Sequence, residues 1–154
     1  MYCPAPAAAR YDARHVAERT YAHRDVLDKL GIKPGQALQC VAAPVAVPAA
    51  LQARVIERLG RPLAAPDEPI DVVLVAADDS TDAVEVLRGW RPRLHPSGGI
   101  WLLTPKRGQA GYVDQRELIA AGAAAGLVDN KVCSVSDALS ALRFVIRKAD
   151  RVYS

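Results

Sequence analysis

The stretch Ile70-Asp71-Val72-Val73-Leu74-Val75-Ala76-Ala77 decides the fold class of this chain. It is apolar at nearly every position, and its β-branched residues stand next to one another instead of alternating with polar ones. A strand of this composition is typical of a parallel sheet that is covered by helices on both faces. We therefore expect strands and helices to alternate along the chain.

The sequence on both sides of this strand follows that alternation. The strands are predicted over 37–43, 70–77, 100–103, 131–135 and 141–147. One or two amphipathic helices are predicted over 13–30, followed by a helix from Pro48 to Gly60 with Ile56 on its buried face. Two more helices are predicted, one that is capped by Asp79 or Ser80 and ends before Pro92, and one from Asp114 to Gly126. The last two strands are predicted to be antiparallel, because a parallel crossover needs a dozen or more residues. The pattern predicts a three-layer Rossmann-like α/β sheet, mostly parallel, with a C-terminal antiparallel hairpin and an extra N-terminal helix.

The chain of 154 residues has the usual length of one domain. We expect a flexible, Pro- and Ala-rich segment over 1–12 and one Rossmann-like domain over 13–150. No apolar run approaches the roughly 18 residues of a membrane span, and the N-terminus lacks the plan of a signal peptide. A cytoplasmic location without membrane partners is expected.

The ionisable and sulfur-containing residues give little sign of metal or nucleic-acid binding. Cys3, Cys40 and Cys133 are widely spaced, without a Cys-x-x-Cys motif, and the three histidines are scattered. We expect no metal site and interpret Cys40 and Cys133 as small buried hydrophobes. The formal net charge is only +3, and Trp90 and Trp101 occupy positions typical of the core, so nucleic-acid binding is not expected.

The loop after the first predicted strand reads Ala42-Ala43-Pro44-Val45-Ala46-Val47-Pro48-Ala49-Ala50 and contains no glycine. In nucleotide-binding α/β proteins, glycines at this turn let the backbone approach a phosphate or an adenosine group. No cofactor is therefore predicted by motif.

The order of elements resembles the class I methyltransferase fold with its second and third strands deleted, over about residues 30–148. In that family a glycine-rich first loop and an acid after the second strand hold S-adenosylmethionine. Here the loop lacks glycine and the strand that would carry the acid is missing, so the resemblance implies a fold and leaves cofactor binding open.

Three longer stretches resemble a bacterial family of unknown function. They are Lys29-Leu30-Gly31-Ile32-Lys33-Pro34-Gly35 with Tyr21, Gly99-Ile100-Trp101-Leu102-Leu103-Thr104-Pro105-Lys106, and residues 125–145 with Gly126-Leu127-Val128-Asp129-Asn130-Lys131-Val132-Cys133. The chain departs from the family pattern at Tyr21-Ala22-His23-Arg24-Asp25 and at Leu139-Ser140-Ala141. The resemblance implies a shared fold and no known reaction.

Candidate ligand residues follow from where open α/β sheets bind ligands, which is beyond the carboxyl ends of the strands. Asp78 and Asp79 follow the second strand, and Lys106 and Arg107 follow the third. Carboxylates and a lysine in one crevice can transfer protons, although helix capping and solvation explain the same residues. The full candidate set is Pro44, Asp78, Asp79, Lys106, Arg107, Lys131 and Arg143.

Lys131 and Arg143 enter this set because both match the family pattern and could face an anion. The residues before them, Asp129 and Asn130, are interpreted as a turn that introduces the terminal hairpin.

These observations favour a non-catalytic binding or interaction module with a protein partner or a second copy of the chain. The alternative is a degenerate or atypical transferase that uses S-adenosylmethionine or a nucleotide through Asp78, Asp79 and Lys106. A third hypothesis is dimerisation through Val16, Thr20 and Val26 of the helix over 13–30.

Overall fold

The computed structural model describes residues 25–41 and 45–151. Several sequence predictions lie outside the described residues. They are the flexible segment 1–12, the part of the N-terminal helix over 13–24 with Val16 and Thr20, and the candidate ligand residue Pro44.

The described residues form a five-stranded sheet with the spatial order β1-β2-β3-β5-β4. The strands are Leu38–Val41 (β1), Ile70–Ala76 (β2), Leu94–Pro105 (β3), Leu127–Ser134 (β4) and Leu139–Ile146 (β5). The first three are parallel, β5 is antiparallel to β3, and β4 is antiparallel to β5. The mixed α/β fold with a C-terminal antiparallel hairpin is thus confirmed, and the second strand of the hairpin is the one that joins β3.

In the described part of the chain, four α-helices accompany these strands. They are Val26–Lys29 (α1), Ala49–Leu59 (α2), Ala83–Trp90 (α3) and Gln115–Ala124 (α4), with 3-10 turns at Arg91–Arg93 and Lys148–Asp150. Two predicted helix ends are confirmed by their capping. Gly60 closes α2 with a positive φ of 66°, and the Asp114 carboxylate accepts a hydrogen bond from the Arg116 N–H at 2.8 Å.

Other helix predictions are wrong in detail. Pro48 precedes α2 as its N-cap residue instead of lying in the first turn, and Ile56 is 41% exposed instead of buried. The cap of α3 is Asp82 and not Asp79 or Ser80. The reason is that the carboxylate of Asp78 accepts hydrogen bonds from Ser80 and forms a turn, which delays the start of the helix.

The strand boundaries also differ from the prediction. β3 begins at Leu94 rather than at Ile100, and β4 begins at Leu127 rather than at Lys131. Asp129-Asn130 is therefore not a turn. These residues lie inside β4, where the register shifts by one residue between Asp129 and Lys131. Turn-forming residues here produce a β-bulge, which places one extra residue in the strand.

The two faces of the sheet carry separate hydrophobic clusters. On the first face, called the α1 face, Leu27, Leu30 and residues of α2 pack against Leu74 and Trp101. On the opposite face, α3 and α4 pack against residues that include Phe144. Trp101 is 1% exposed, which confirms its predicted place in the core. In residues 25–41 and 45–151 there is no helix with the length and hydropathy to cross a membrane.

Candidate functional site: a basic cavity on the α1 face

A cavity of about 690 Å³ lies on the α1 face, between the α1 segment, the beginning of β2 and β3, and the antiparallel strands β4 and β5. Its volume is in the range of small-molecule sites, which is roughly 300–1,000 Å³. We call it the basic cavity. Its charged lining residues are Lys29, Lys33, Lys131, Arg143, Asp28 and Asp71.

Arg143 is the central residue of the basic cavity. It lies on β5, directly opposite Trp101 of β3 on one side and Lys131 of β4 on the other. The side chain is half-buried, and within residues 25–41 and 45–151 it forms no hydrogen bond or ion pair. Burial lowers the pKa of the guanidinium group, and the positive charge of the neighbouring Arg151 lowers it further. An arginine nevertheless keeps its proton in proteins.

Gly99 provides the space that the Arg143 guanidinium occupies. A Cβ atom at position 99 would lie 2.6 Å from Nε and 2.8 Å from Cζ of Arg143. Real Cβ atoms essentially never show contacts below 3.0 Å. Any side chain at this position would therefore displace the guanidinium group from where it lies.

The bulge in β4 decides that Lys131 faces the same cavity. Asp129 pairs with Phe144, but Lys131 pairs with Arg143 because Asn130 is the extra residue. In a regular ladder without the bulge, Asn130 would pair with Arg143 and Lys131 would stand opposite Leu142, whose side chain belongs to the core of the other face. Since neighbouring residues in a strand point to opposite faces, the bulge turns the Lys131 side chain towards Arg143.

The remaining charges leave the basic cavity positive. Asp28 is neutralised by Arg58, whose Nη1 lies 2.6 Å from its Oδ1. Asp71 Oδ2 accepts a hydrogen bond from the Ala37 N–H at 3.0 Å. Lys29 Nζ donates to the carbonyl oxygen of Ser134 at 3.1 Å, a bond that keeps its charge in place. The four cations that line the cavity are thus opposed mainly by the single carboxylate of Asp71.

A buried hydrogen bond fixes the α1 segment to the sheet beside the cavity. Trp101 Nε1 donates to the carbonyl oxygen of Leu30 at 2.9 Å. Both residues are in the core cluster of the α1 face, so this bond is shielded from water. The cavity wall that carries Lys29 and Lys33 is therefore attached to the same strand that carries Gly99.

The carboxyl edge of the parallel strands has two smaller cavities. Asp78 and Asp79 line one of about 250 Å³, and Lys106 and Arg107 line another of about 150 Å³. The Asp78 carboxylate accepts hydrogen bonds from the Ser80 hydroxyl at 2.6 Å and from the Ser80 N–H at 2.9 Å. These bonds lower the pKa of Asp78, since they stabilise its charged form.

The basic residues of this edge also have partners within the protein. Lys106 Nζ donates to the Ser134 hydroxyl at 2.6 Å, and the Arg107 guanidinium lies 5.4 Å from the ring centre of Tyr112. The structure therefore distributes the described candidate residues over three cavities. It brings Lys131 and Arg143 together and separates them from Asp78, Asp79, Lys106 and Arg107.

Sequence reasoning did not identify Lys29, Lys33, Asp71 or Gly99 as members of a site. The signal at Gly99 was present, because a Gly-Gly pair in a strand often marks the close approach of another group. The two lysines and Asp71 are ordinary in sequence, and only the packing of α1 against the sheet brings them to the cavity.

The two cysteines in the described part of the chain, Cys40 and Cys133, are half-buried and not fully buried as predicted. Burial raises the pKa of Cys40 to about 11 and also raises that of Cys133, although Lys29 opposes the second shift. Residues 25–41 and 45–151 contain no group of three His, Cys, Asp or Glu side chains that could hold a metal ion. Cys133 lines the basic cavity, but burial outweighs the effect of Lys29 on its pKa, so the thiol is not activated as a reactive thiolate.

Solved structures with a similar fold are methyltransferases. Mitomycin 7-O-methyltransferase MmcR matches with a TM-score of 0.56 at 12% identity over 88% of this chain and 57% of that chain. A putative methyltransferase from Thermoplasma acidophilum gives 0.54 at 12% identity, over 79% and 72% of the two chains. A SAM-dependent methyltransferase from Aquifex aeolicus gives 0.51 at 13% identity, over 79% and 88%. At such low identities the likeness shows a methyltransferase-like fold alone.

Similarity in sequence leads to mycobacterial relatives and to one family. A stretch of 63 residues is 43% identical to the uncharacterized protein Rv2239c of Mycobacterium tuberculosis and to the uncharacterized protein Mb2263c of Mycobacterium bovis. This stretch covers 40% of this chain and 40% of each relative. The family described as "Protein of unknown function (DUF3052)" matches residues 27–148, which include the whole sheet. The chain therefore belongs to the DUF3052 family.

Proposed function

We propose that this protein is a non-catalytic binding module that holds a small anionic molecule in the basic cavity. The observation that carries the proposal is Arg143, a half-buried cation without an anionic partner in the described chain. A charge that is removed from water without a counter-ion is unfavourable, and a bound anion would supply one. Arginine presents a planar fork of donors that suits phosphate or carboxylate groups.

The carboxyl edge of the sheet supports the non-catalytic part of the proposal. Methyltransferase-like folds place their cofactor there, and the loop over 42–50 lacks the glycines that allow close approach. Asp78 and Lys106, which a catalytic site would use, are already hydrogen-bonded to Ser80 and Ser134. The basic cavity itself offers positive charge for binding and no activated nucleophile.

Isothermal titration calorimetry with a panel of oxyanions tests the binding site. We expect at least one member to bind the wild type and to bind Arg143→Met at least tenfold more weakly, because a hydrogen bond to a charged group contributes about 1.5–3 kcal/mol. Lys148→Met is the matched control, since it removes the same charge from an exposed residue that does not line the cavity. Equal losses in both variants, or no binding by the wild type to any oxyanion, would contradict the proposal.

A second candidate function is an atypical transferase that uses S-adenosylmethionine or a nucleotide. It is favoured by the methyltransferase-like fold and by the two cavities at the carboxyl edge. Thermal unfolding with S-adenosylmethionine, S-adenosylhomocysteine and nucleotides tests it, because a ligand at 100 times its Kd stabilises the native state by about 2.7 kcal/mol. A shift that Asp78→Asn and Lys106→Met abolish, and that Arg143→Met leaves intact, would favour this function over the first.

A further inference from the structure

We infer that the anion held in the basic cavity is the phosphate group of a small hydroxylated phosphate monoester, such as a sugar phosphate or a nucleoside monophosphate. This inference rests on the proposed function and adds to it the chemical class of the ligand. It is based on the charge balance of the cavity, on its size, and on the environment of Asp71.

The charge balance favours a dianion over a monoanion. Arg143 and Lys131 are a direct cross-strand pair, and Lys29 and Lys33 line the same cavity from the α1 segment. Because Asp28 is neutralised by Arg58, these four cations are opposed mainly by Asp71 among the described residues that line the cavity. A phosphate monoester carries a charge of about −1.5 to −2 at pH 7 and has three acceptor oxygens, whereas a carboxylate carries one charge and two oxygens.

The size of the cavity favours an organic ester over a free phosphate ion. The volume of about 690 Å³ is far larger than one tetrahedral anion. It is comparable to the sites that enclose small organic ligands, which are roughly 300–1,000 Å³. One dianionic group offsets most of the positive excess, and the remaining space is then available to an uncharged body of the ligand.

Asp71 indicates which polar groups the uncharged body of the ligand carries. Its Oδ2 accepts the hydrogen bond from the Ala37 N–H, and no other hydrogen bond reaches its carboxylate within residues 25–41 and 45–151. A carboxylate that lines a ligand cavity with free acceptor capacity suits hydroxyl or amino donors. The amide nitrogen of Gln36 likewise has no partner among these residues, although Gln36 Oε1 accepts the Lys33 N–H at 2.9 Å. A hydroxylated body would satisfy both groups.

Calorimetric titrations of the full chain test the inference with five probes, namely ribose 5-phosphate, adenosine 5′-monophosphate, ribose, glucuronate and orthophosphate. We expect one or both phosphate esters to bind at least tenfold more tightly than the other three probes. Their relative affinities distinguish a sugar phosphate from a nucleotide. Affinity for the ester should fall by about tenfold between pH 7.5 and pH 5, because the second phosphate pKa is about 6 and the dianion is lost.

Two variants separate the phosphate end from the hydroxyl end. Arg143→Met should weaken the ester and orthophosphate alike. Asp71→Asn should reduce the preference for the ester over orthophosphate at least fivefold, and its remaining oxygen can still accept the Ala37 N–H, which keeps the fold. Circular dichroism of each variant checks folding, and the pH series on the wild type needs no variant.

The outcomes distinguish a failure of the phosphate-ester inference from a failure of the proposed function. If glucuronate or orthophosphate binds as tightly as the esters and Arg143→Met still weakens it, the phosphate ester is refuted and the anion-binding module stands. Ester binding that is independent of pH between 5 and 7.5 also refutes the inference. If no probe and no other oxyanion binds, both proposals fail.

Discussion

Replacing Gly122 by alanine should destabilise this protein, because the added methyl group has no room. Gly122 is buried in α4, where a Cβ atom would lie 2.5 Å from Cδ1 of Phe144 and closer still to its Cε1. Carbon atoms pack at about 3.5–4.0 Å, so the ring or the helix would have to move by about 1 Å. Phe144 is fully buried on β5, next to Arg143, and has little freedom to move.

The size of the effect follows from two opposing contributions. Alanine in a helix interior is favoured over glycine by about 1 kcal/mol, whereas overpacking a core costs about 1–3 kcal/mol. We expect the free energy of unfolding of Gly122→Ala to fall by about 1 kcal/mol, which lowers the Tm by about 2–4 °C. Gly89→Ala in α3 is the matched control, because nothing lies within 4 Å of its added Cβ. This control should gain about 0.5–1 kcal/mol.

Urea unfolding followed by circular dichroism measures both variants, and a double variant identifies the contact. In a Phe144→Leu background the smaller side chain leaves room, so the cost of Gly122→Ala should shrink by at least about 0.5 kcal/mol. If Gly122→Ala is as stable as Gly89→Ala, the packing of α4 against β5 described above is incorrect. The orientation of β5, and with it the placement of Arg143, would then need revision.

Three further predictions concern titration, thiol reactivity and the α1 segment. Hydrogen bonds lower the folded-state pKa of Asp78 and Asp114. The stability that these two carboxylates contribute is therefore present above the ordinary carboxyl pKa of about 4 and is lost as the pH falls through the lowered values. The Tm should decrease below pH 4, and an unchanged Tm down to pH 2 would contradict this. Cys40, whose folded-state pKa is about 11, should be alkylated by iodoacetamide at pH 7.5 at least tenfold more slowly than a free thiol, which peptide mapping by mass spectrometry would show. The free energy of unfolding should also decline as the pH rises from about 9 to 11, because the thiol ionises more readily in the unfolded chain. Trp101→Phe removes the donor to the Leu30 carbonyl oxygen and should lower the free energy of unfolding, measured in urea, by about 1–3 kcal/mol. A loss below about 0.5 kcal/mol would mean that water replaces the indole as the donor.

The proposed anion site lies on a face of the sheet, away from the carboxyl edge where the usual rule for open α/β sheets predicts a ligand. The parallel strands indicate ligand binding at their carboxyl ends, and Asp78 and Lys106 are where that rule places them. The Asp78 and Lys106 side chains form hydrogen bonds within the protein. On the α1 face, by contrast, the half-buried guanidinium of Arg143 has no hydrogen-bond or ion-pair partner among residues 25–41 and 45–151. The proposed function therefore depends on the charge of Arg143 and not on the place where this fold usually binds its ligands.

The sequence by itself determined which segments become helices and strands, because that choice depends on neighbouring residues. The continuous apolar run of β2 predicts its burial, the helical periodicity predicts α2, α3 and α4, and Gly60 and Asp114 mark the helix ends through local backbone chemistry. Boundaries were wrong where a local side chain offered the backbone a competing hydrogen bond, as Asp78 does before α3.

Only the tertiary structure decided which side chains meet. Lys131 comes to lie beside Arg143 through three features of the sheet, which are the insertion of β5 between β3 and β4, the one-residue shift at Asn130 and the space above Gly99. The packing of α1 against the sheet adds Lys29 to the cavity. Strand order and register depend on contacts between residues that are distant along the chain, so periodicity in the sequence carries no record of them. A shift of one residue moves a side chain to the other face of a sheet, and this is why the residues of the proposed anion site could be brought together only from the folded chain.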